Sequence, residues 1–467
     1  MKKNRSKDNS FNIGKMILWE SVIMLIPAVI VPFYPDEVEI MSIFIIPAII
    51  SISIGLIASY FEFSISNSNR LVVFIWFYGI ILGAIPFYLY GHINPVQALF
   101  EAVSGFTTTG LSVLDVENLP HLIIFYRALL QYIGGLGFVM TMLIFVKEKD
   151  WAILYHVEGH TDRIMPGIGK TAKVIGMMYG LFLIIGTILY TIFKMPLFDS
   201  LTHAMCALST GGFSNRLDSI GYYHSLPIEI ITVILMLIGT TNFSLLLILL
   251  KGKIKDFCKA SEIHIFAVII IFSSIMLSFF LSNTYAIGES IRLAIFNAFS
   301  ALSTTGYATC AYNNWSECAI FIMIILMVIG GGMGSTAGGI KLGRICMILK
   351  NLARNIQKKL VSDRTIVLAY YHNGKEKELL EDKQIEEAST YALSYLLIYI
   401  VGTIILTYFA HSSLLEGAFE FASSLGTVGL SIGITNANTS IICLLIEIIG
   451  MILGRLEIFV ILKAFCQ

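Results

Sequence analysis

Four times along this chain a long apolar run is followed by a shorter, half-apolar segment ending at a glycine, and then by a second long apolar run. The long runs lie near 71–90 and 119–146, 171–193 and 226–250, 263–282 and 316–349, and 388–409 and 438–464. Two more apolar runs, near 11–33 and 39–60, come first. A helix needs roughly 20 apolar residues to cross the bilayer core, so the long runs can span and the short segments cannot. Irregular backbone at membrane depth is tolerated only where it is buried in protein or lines a water-filled path. Four such segments point to a pore. The expected fold is an all-α polytopic membrane protein: four pseudo-symmetric helix–pore loop–helix repeats around a central pore, preceded by two extra transmembrane helices, about ten spans in all. The expected boundaries are 1–65 for the two-helix region, then 66–165, 166–257, 258–375 (with a soluble linker) and 376–467 for the repeats.

Composition agrees. Of 467 residues, 56% are hydrophobic and 13% charged, and a soluble domain of this length cannot hide so much apolar surface. The formal net charge of zero argues against a nucleic-acid binder. The basic start MKKNRSKDNS is followed by no small-residue cleavage site and reads as a retained anchor. Seven cysteines form no C-x-x-C pair and read as small buried hydrophobes. Basic residues set orientation. Lys2, Lys3, Arg5, Lys7 and Lys15, then Lys147, Lys149, Arg163, Lys170 and Lys173, then Lys251, Lys253, Lys255 and Lys259, then the run from Arg344 to Lys383 all fall on one side. The other side has only Arg127, Lys194, Arg216 and Arg292. The positive-inside rule then places both termini in the cytoplasm, with the short segments entering from outside. The polar stretch 351–387 reads as a cytoplasmic linker with some helix.

Aligned on Gly110, Gly212, Gly306 and Gly429, the four short segments share a threonine two residues earlier: Thr108, Thr210, Thr304 and Thr427. A bulky apolar residue follows each glycine (Leu111, Phe213, Tyr307, Leu430), then a small one (Ser112, Ser214, Ala308, Ser431). Six residues before the glycine stand Ser104, Cys206, Ser300 and Ser423; ten before it stand Phe100, Thr202, Phe296 and Phe419. One T-x-G means little, whereas four at the same place in four units fix an architecture. A dehydrated potassium ion needs several oxygen ligands of modest field strength, which backbone carbonyls and threonine hydroxyls supply. Glycine lets the backbone turn to φ > 0 and aim successive carbonyls at one axis. The small residues let the preceding short helix pack closely, and its C-terminal dipole end would face the cation. No ring of carboxylates occupies these positions, which disfavours an acidic divalent-cation filter.

The segments FEAVSGFTTTGLS, ALSTGGFS, FSALSTTGYAT and FASSLGTVGLS resemble the four pore loops of the TrkH/KtrB superfamily of potassium transporters. The resemblance covers nearly the whole chain. The extra helix pair at the start and GRLEIF in the last helix are closer to the TrkH branch. It implies potassium uptake across a bacterial inner membrane. The filter would be lined by Thr108, Thr109 and Gly110; Thr210, Gly211 and Gly212; Thr304, Thr305 and Gly306; and Thr427, Val428 and Gly429. Gly211 departs from the pattern, standing where the other repeats have Thr or Val, and loosens one wall. The resemblance also implies K+ as the bound ion with no organic cofactor in this chain, a membrane homodimer, and a cytoplasmic nucleotide-binding ring protein of the TrkA/KtrA type as partner. The basic face and the 351–387 linker are the candidate docking surfaces.

Two features lie beyond the filter segments. The run IGGGMGSTAGGIK at 329–341 puts six glycines into the third repeat's second helix, at roughly 1 kcal/mol each relative to alanine, so that helix should break or bend. Its spacing fits neither phosphate-cradling pattern. It suits either close helix packing or, as the resemblance implies, a mobile intramembrane loop using Gly330, Gly331, Gly332, Gly334, Gly338 and Gly339. Arg455, in GMILGRLEIF, is costly at membrane depth. It either pairs with Glu447 or Glu457 or, as the resemblance implies, sets a positive barrier in the path. The runs IGGLG (133–137) and GTTNFS (239–244) read as packing seams, with Asn242 hydrogen-bonded inside. A proton- or sodium-coupled symporter of the KtrB type is the alternative. Coupling acids deep in the membrane would favour it, but Glu20, Glu101, Glu229, Glu420 and Glu447 read as mostly near helix ends or loops. An enzyme is not expected: His203 with Ser209, and Ser112, are the only hints of a nucleophile and base, and those serines recur by repeat symmetry without a histidine.

Overall fold

The computed structural model describes residues 11–65, 67–91, 93–137, 168–362, 367–374 and 377–466. The basic residues expected at 2–7 and 147–163, the far half of the apolar run at 119–146 and the boundary at 165/166 lie outside them. The first pair is α1 (Ile13–Leu25), continued by 3-10 turns over Ile26–Phe33 and Pro35–Met41, and α2 (Ser42–Tyr60). Each repeat then gives an outer helix, a short pore helix and a second helix. Repeat 1 has α3 (Ser68–Tyr90), α4 (Pro95–Phe106) and α5 (His121–Leu136). Repeat 2 has α6 (Ile168–Ile192), α7 (Leu197–Leu208) and α8 (Leu226–Thr240), followed by α9 (Phe243–Leu250) and α10 (Ile254–Lys259). Repeat 3 has α11 (Ser261–Leu281), α12 (Ile287–Leu302), α13 (Glu317–Ile329) and α14 (Leu342–Leu360). Repeat 4 has α15 (Asp382–Ala410), α16 (Leu414–Leu425), α17 (Ile441–Arg455) and α18 (Ile458–Cys466).

The outer helices meet lipid. On α11, Val268, Ile271, Phe272, Ile275 and Phe279 are all exposed, an apolar face suited to a hydrocarbon solvent. The pore helices are buried instead. α4 and α16 start with reciprocal caps, Asn94 with Gln97 and Ser413 with Glu416, which satisfy donors otherwise orphaned at a helix start. Each pore helix packs between the two long helices of its own repeat and the second helix of the repeat before it: α7 against α5, α12 against α8, α16 against α13, and α4 against α17. That last contact closes the ring.

Among the described residues, six helical stretches are long and apolar enough to cross a membrane, or seven if the pair α8 and α9, bent by 115°, counts as one. Continuous second helices were expected, except at the glycine run, and among the described residues each of the four ends early, while the rest of the run at 119–146 lies outside them. α5 ends at Gly137 with φ +88°, α8 ends at Thr240, α13 ends at Gly330 with φ +72°, and α17 ends at Arg455 ahead of Glu457 at φ +57°. GTTNFS keeps the close packing expected of it, since a Cβ on Gly239 would strike Leu208 O, and it also breaks the helix. Asn242 caps the new helix α9, its side chain accepting from Ser244 N, which is the usual use of Asn at a helix start. The linker also holds a feature read only as partial helix. Tyr370–His372 and Lys377–Leu379 pair as an antiparallel hairpin, β3 with β4, where β1 and β2 are the short pair Phe11–Asn12 and Ser64–Ile65. The Asn373-Gly374 dipeptide between two strands is a hairpin signal, with Gly374 at φ +91°.

Candidate ion pathway

Each pore helix ends in the same turn. Thr108 N donates to Gly105 O and Thr109 N to Ser104 O; Thr210 and Gly211, Thr304 and Thr305, and Thr427 and Val428 repeat both bonds. This is the Schellman arrangement, whose left-handed residue is usually glycine. Here it is threonine four times: φ is +56° at Thr108, +52° at Thr210, +55° at Thr304 and +49° at Thr427. A β-branched residue at positive φ is a true outlier, and four at equivalent places mark stored backbone strain of the kind found at functional sites. The sequence pattern showed the threonines and left their conformation hidden.

Two residues on, the glycines turn left-handed as well, at φ +98°, +74°, +81° and +94° for Gly110, Gly212, Gly306 and Gly429. A Cβ on Gly110 would collide with Gly211 O, one on Gly212 with Thr305 O, one on Gly306 with Val428 O, and one on Gly429 with Thr109 O. Each glycine thus abuts the carbonyl preceding the glycine of the next repeat, and the fourth returns to the first. The twelve residues expected at the filter form one closed ring, all of them buried apart from the half-buried glycines Gly110, Gly212, Gly306 and Gly429.

Behind the ring stand groups that the sequence reading missed or undervalued. The serines six residues before the glycine do more than save space. Ser104 Oγ accepts from Gly110 N (3.0 Å) and donates to Leu111 O (2.6 Å), Ser423 Oγ accepts from Gly429 N (3.0 Å), and Ser300 Oγ donates to Tyr307 O (2.6 Å). Nine residues before the glycine, every repeat buries a polar side chain: Glu101, His203, Asn297 and Glu420. Each braces the strand leaving the ring. Glu101 accepts from Ser112 Oγ and Val113 N, and Glu420 from Ser431 Oγ, Ile432 N and Thr435 N. Asn297 donates to Thr309 Oγ1. His203 Nδ1 faces the Asp199 carbonyl at 2.8 Å, so that nitrogen donates, and Nε2 accepts from Ser214 Oγ at 3.0 Å. The histidine's partner is therefore Ser214 rather than Ser209. The placement of the acids near helix ends is also corrected: Glu101, Glu420 and Glu447 are completely buried, and Glu101 pairs with the equally buried Arg127. An aligned polar position within apolar pore helices was the signal that could have exposed this set.

Beneath the ring, the segment 330–341 crosses directly under the threonines. Gly338 N donates to Thr304 Oγ1 at 2.9 Å, Thr336 Oγ1 lies 3.0 Å from Thr210 Oγ1, and a Cβ on Gly338 would strike Thr427 Oγ1 and Gly426 O. Backbone bonds tie the crossing to repeat 2: Gly332 N to Thr240 O and Thr336 N to Gly239 O. Gly330, Gly334 and Gly339 have φ between +65° and +79°. Arg455 donates to the carbonyls of Gly134, Gly135 and Thr336. It so joins the break in α5, the break in α17 and the glycine loop. Glu457 is engaged by Lys341 and Arg344. The space around Arg455, lined by Gly135, Ser335, Gly338 and Lys341, is about 40 Å³, and a separate vestibule of about 1230 Å³, lined by Glu262, Met333, Arg344 and Tyr371, shares Glu457 with it.

Comparison with known proteins agrees with this architecture. Residues 61–466 match the TrkH family, described as cation transport protein. An uncharacterized cation transporter of Methanocaldococcus jannaschii is 30% identical over 97% of this chain and 94% of its own. The Trk system potassium uptake protein TrkG of Escherichia coli is 29% identical over 97% of this chain and 96% of its own. The crystal structure of the potassium transporter TrkH from Vibrio parahaemolyticus superimposes with a TM-score of 0.84 at 25% identity, covering 97% of this chain and 96% of that one. With a ring closed by four glycine strands and a family match over most of its length, the chain belongs to the TrkH family of cation transport proteins.

Proposed function

We propose that this protein carries potassium into the cell through the ring of Gly110, Gly212, Gly306 and Gly429, with the loop 330–341 and Arg455 as the valve. One observation carries the reading: the cyclic closure of four left-handed Thr-x-Gly turns, each glycine against the next repeat's carbonyl. Such a ring offers the carbonyl and hydroxyl oxygens that replace a potassium ion's hydration shell. The pore helices add the negative ends of their dipoles. The site residues are Thr108, Thr109, Thr210, Gly211, Thr304, Thr305, Thr427 and Val428 with the four glycines. The positive-inside bias supports a multi-pass protein of the inner membrane with both termini in the cytoplasm. The vestibule and the β3–β4 hairpin then face the cytoplasm, where a TrkA/KtrA-type ring protein would dock on a homodimer. The named relatives of the Trk system support potassium as the cargo.

The deciding experiment is purified protein in liposomes, with ion flux measured under potassium and sodium gradients. Potassium flux that exceeds sodium flux supports the filter, and equal flux of both refutes it. The symport alternative draws on the buried acids. Thr435 links Glu420 to Glu447, N–H to one and Oγ1 to the other, and Glu447 Oε2 has no hydrogen-bond partner among the described residues. Potassium flux that needs a proton or sodium gradient would favour that reading over passive conduction.

A further inference from the structure

The second repeat departs from the other three at two places in its filter strand. Where they have Thr109, Thr305 and Val428, it has Gly211, and where they have Ser104, Ser300 and Ser423, it has Cys206. The three side chains at the first place are completely buried, and the carbonyls of those residues abut the glycines of the neighbouring repeats. Two also bond locally, Thr109 Oγ1 to Thr107 Oγ1 at 2.7 Å and Thr305 Oγ1 to Ser303 Oγ at 2.8 Å. Two consecutive glycines, 211 and 212, should instead leave their carbonyl free to swing, and a thiol is a weak substitute for a serine hydroxyl.

The gap is filled from the neighbouring repeat. Gln131, on α5, is completely buried. Its Nε2 donates to Gly211 O at 2.5 Å and its Oε1 accepts from Phe213 N at 3.1 Å. A Cβ on Gly211 would collide with that same amide. The eleventh residue of the second helix is methionine in the other repeats, Met236, Met327 and Met451, all completely buried. Repeat 2 has therefore exchanged a side chain for glycine and serine for cysteine in its own strand, and the helix of repeat 1 packed against that strand has exchanged methionine for glutamine. Arg127, one turn earlier on α5, lies 4.0 Å over the Phe213 ring and anchors the same strand.

We infer that Gln131 is a selectivity-determining residue, a positioning group that reaches across the repeat boundary and holds the Gly211 carbonyl in the ring. The inference rests on reading the ring as the potassium filter. A carbonyl has two lone pairs, so Gly211 O can accept from the amide and still face the axis. A primary amide both donates to Gly211 O and accepts from Phe213 N, a pair of roles methionine cannot fill.

The test is potassium and sodium flux per folded protein in liposomes for wild type, Gln131→Met, Gly211→Thr and the double variant. Gln131→Met should fold, since methionine occupies the three equivalent places. Its preference for potassium over sodium should drop roughly tenfold, as the Gly211 carbonyl loses its brace. Gly211→Thr alone should lose folded protein or flux through collision with Gln131. The double variant, which restores the pattern of the other repeats, should regain both folded protein and selectivity. A potassium-selective wild type whose Gln131→Met variant keeps the same ion preference overturns this inference and leaves the filter reading standing. If Gln131→Met does not fold, a double variant no better than Gly211→Thr overturns it. A wild type without potassium preference overturns the filter reading itself, and this inference falls with it.

Discussion

In the ring, three strands are braced from within their own repeat by a serine hydroxyl to the glycine or the residue after it, and all four by a buried Glu, His or Asn to the strand beyond and a capped left-handed threonine at the helix end; only the strand of repeat 2, with Cys206 for the serine, borrows Gln131. The layer just below is held between repeats. The glycine loop of repeat 3 hangs on the carbonyls of Gly239 and Thr240 and on the hydroxyls of Thr210 and Thr304, while Arg455 of repeat 4 grips carbonyls of repeats 1 and 3. The ring uses one arrangement four times, and the layer below uses each element once. Fourfold repetition suits a group of ligands around an ion. A single crossing segment with left-handed glycines suits a part with two positions, because breaking a few bonds frees it and leaves the ring untouched.

The strongest way to break that contrast is to damage the ring. Serine at 306 or 429 must hold a Cβ at φ above +80° and press it into Val428 O or Thr109 O. Gly306→Ser or Gly429→Ser should cut potassium flux on the order of 100-fold, or erase potassium preference, with protein still in the membrane. Unchanged affinity and selectivity in either variant would show that the ring is not the filter.

A second test compares the supports of repeats 1 and 4. Position for position on their second helices, Arg127 of α5 matches Glu447 of α17. The first pairs with Glu101, whereas the second meets Glu420 through Thr435. Removing one partner of a buried ion pair costs about 3–5 kcal/mol, so Arg127→Leu should sharply lower folded protein. Glu447→Gln keeps an oxygen for Thr435 Oγ1 and breaks no ion pair among the described residues, and should change folded protein little. Detergent-solubilised yield and thermal midpoint measure both, and equal loss in the two variants would contradict the asymmetry.

Third comes the arginine. Arg455→Ala removes a fixed charge from the path, one carbonyl contact to the loop and two to the end of α5, and should raise potassium flux per folded protein by about tenfold. Arg455→Lys keeps the charge and should keep most of the block. Alanine flux at or below wild type, at equal folded protein, would leave Arg455 as a structural brace.

What the sequence displayed, and what it hid, follows the same division. Symmetry is visible to alignment, so Thr108, Thr210, Thr304 and Thr427 and their glycines stood out, and with them the fourfold fold. The breaks in the second helices were missed at Gly137, Thr241 and Leu456 because each uses different residues: a glycine, a Thr-Thr-Asn cap, and a charged Arg-Leu-Glu. Only the glycine-rich break announced itself. Gln131 was invisible for a related reason. Its meaning lies in a carbonyl of another repeat, and Gly211 looked like a defect until its filler was seen beside it. Periodicity reports which face of a helix is apolar, and a contact between repeats leaves no trace in it.

The smallest expected effect tests the hinge between the two layers. Thr336 Oγ1 bridges Gly239 O at 2.9 Å, Leu208 O at 3.3 Å and Thr210 Oγ1 at 3.0 Å. A hydroxyl can donate only one of these at a time. Thr336→Val keeps the shape and removes the donor, and a net hydrogen bond contributes about 0.5–1.5 kcal/mol. If the loop has a closed and an open position, that loss falls on the closed one and multiplies the open population by roughly 2- to 12-fold. The backbone bonds from Thr336 N and Gly332 N remain, so the loop stays anchored and the gain should fall short of that in Arg455→Ala. Selectivity should not move, because Thr210 Oγ1 keeps its bond to Ser209 O and the Gly212 turn makes no bond to Thr336. Initial potassium flux and the potassium-to-sodium ratio, measured on the same liposomes, separate the outcomes. A raised rate at constant ratio places Thr336 in the valve. A changed ratio would mean that the loop shapes the ring, and the two layers would then be one device.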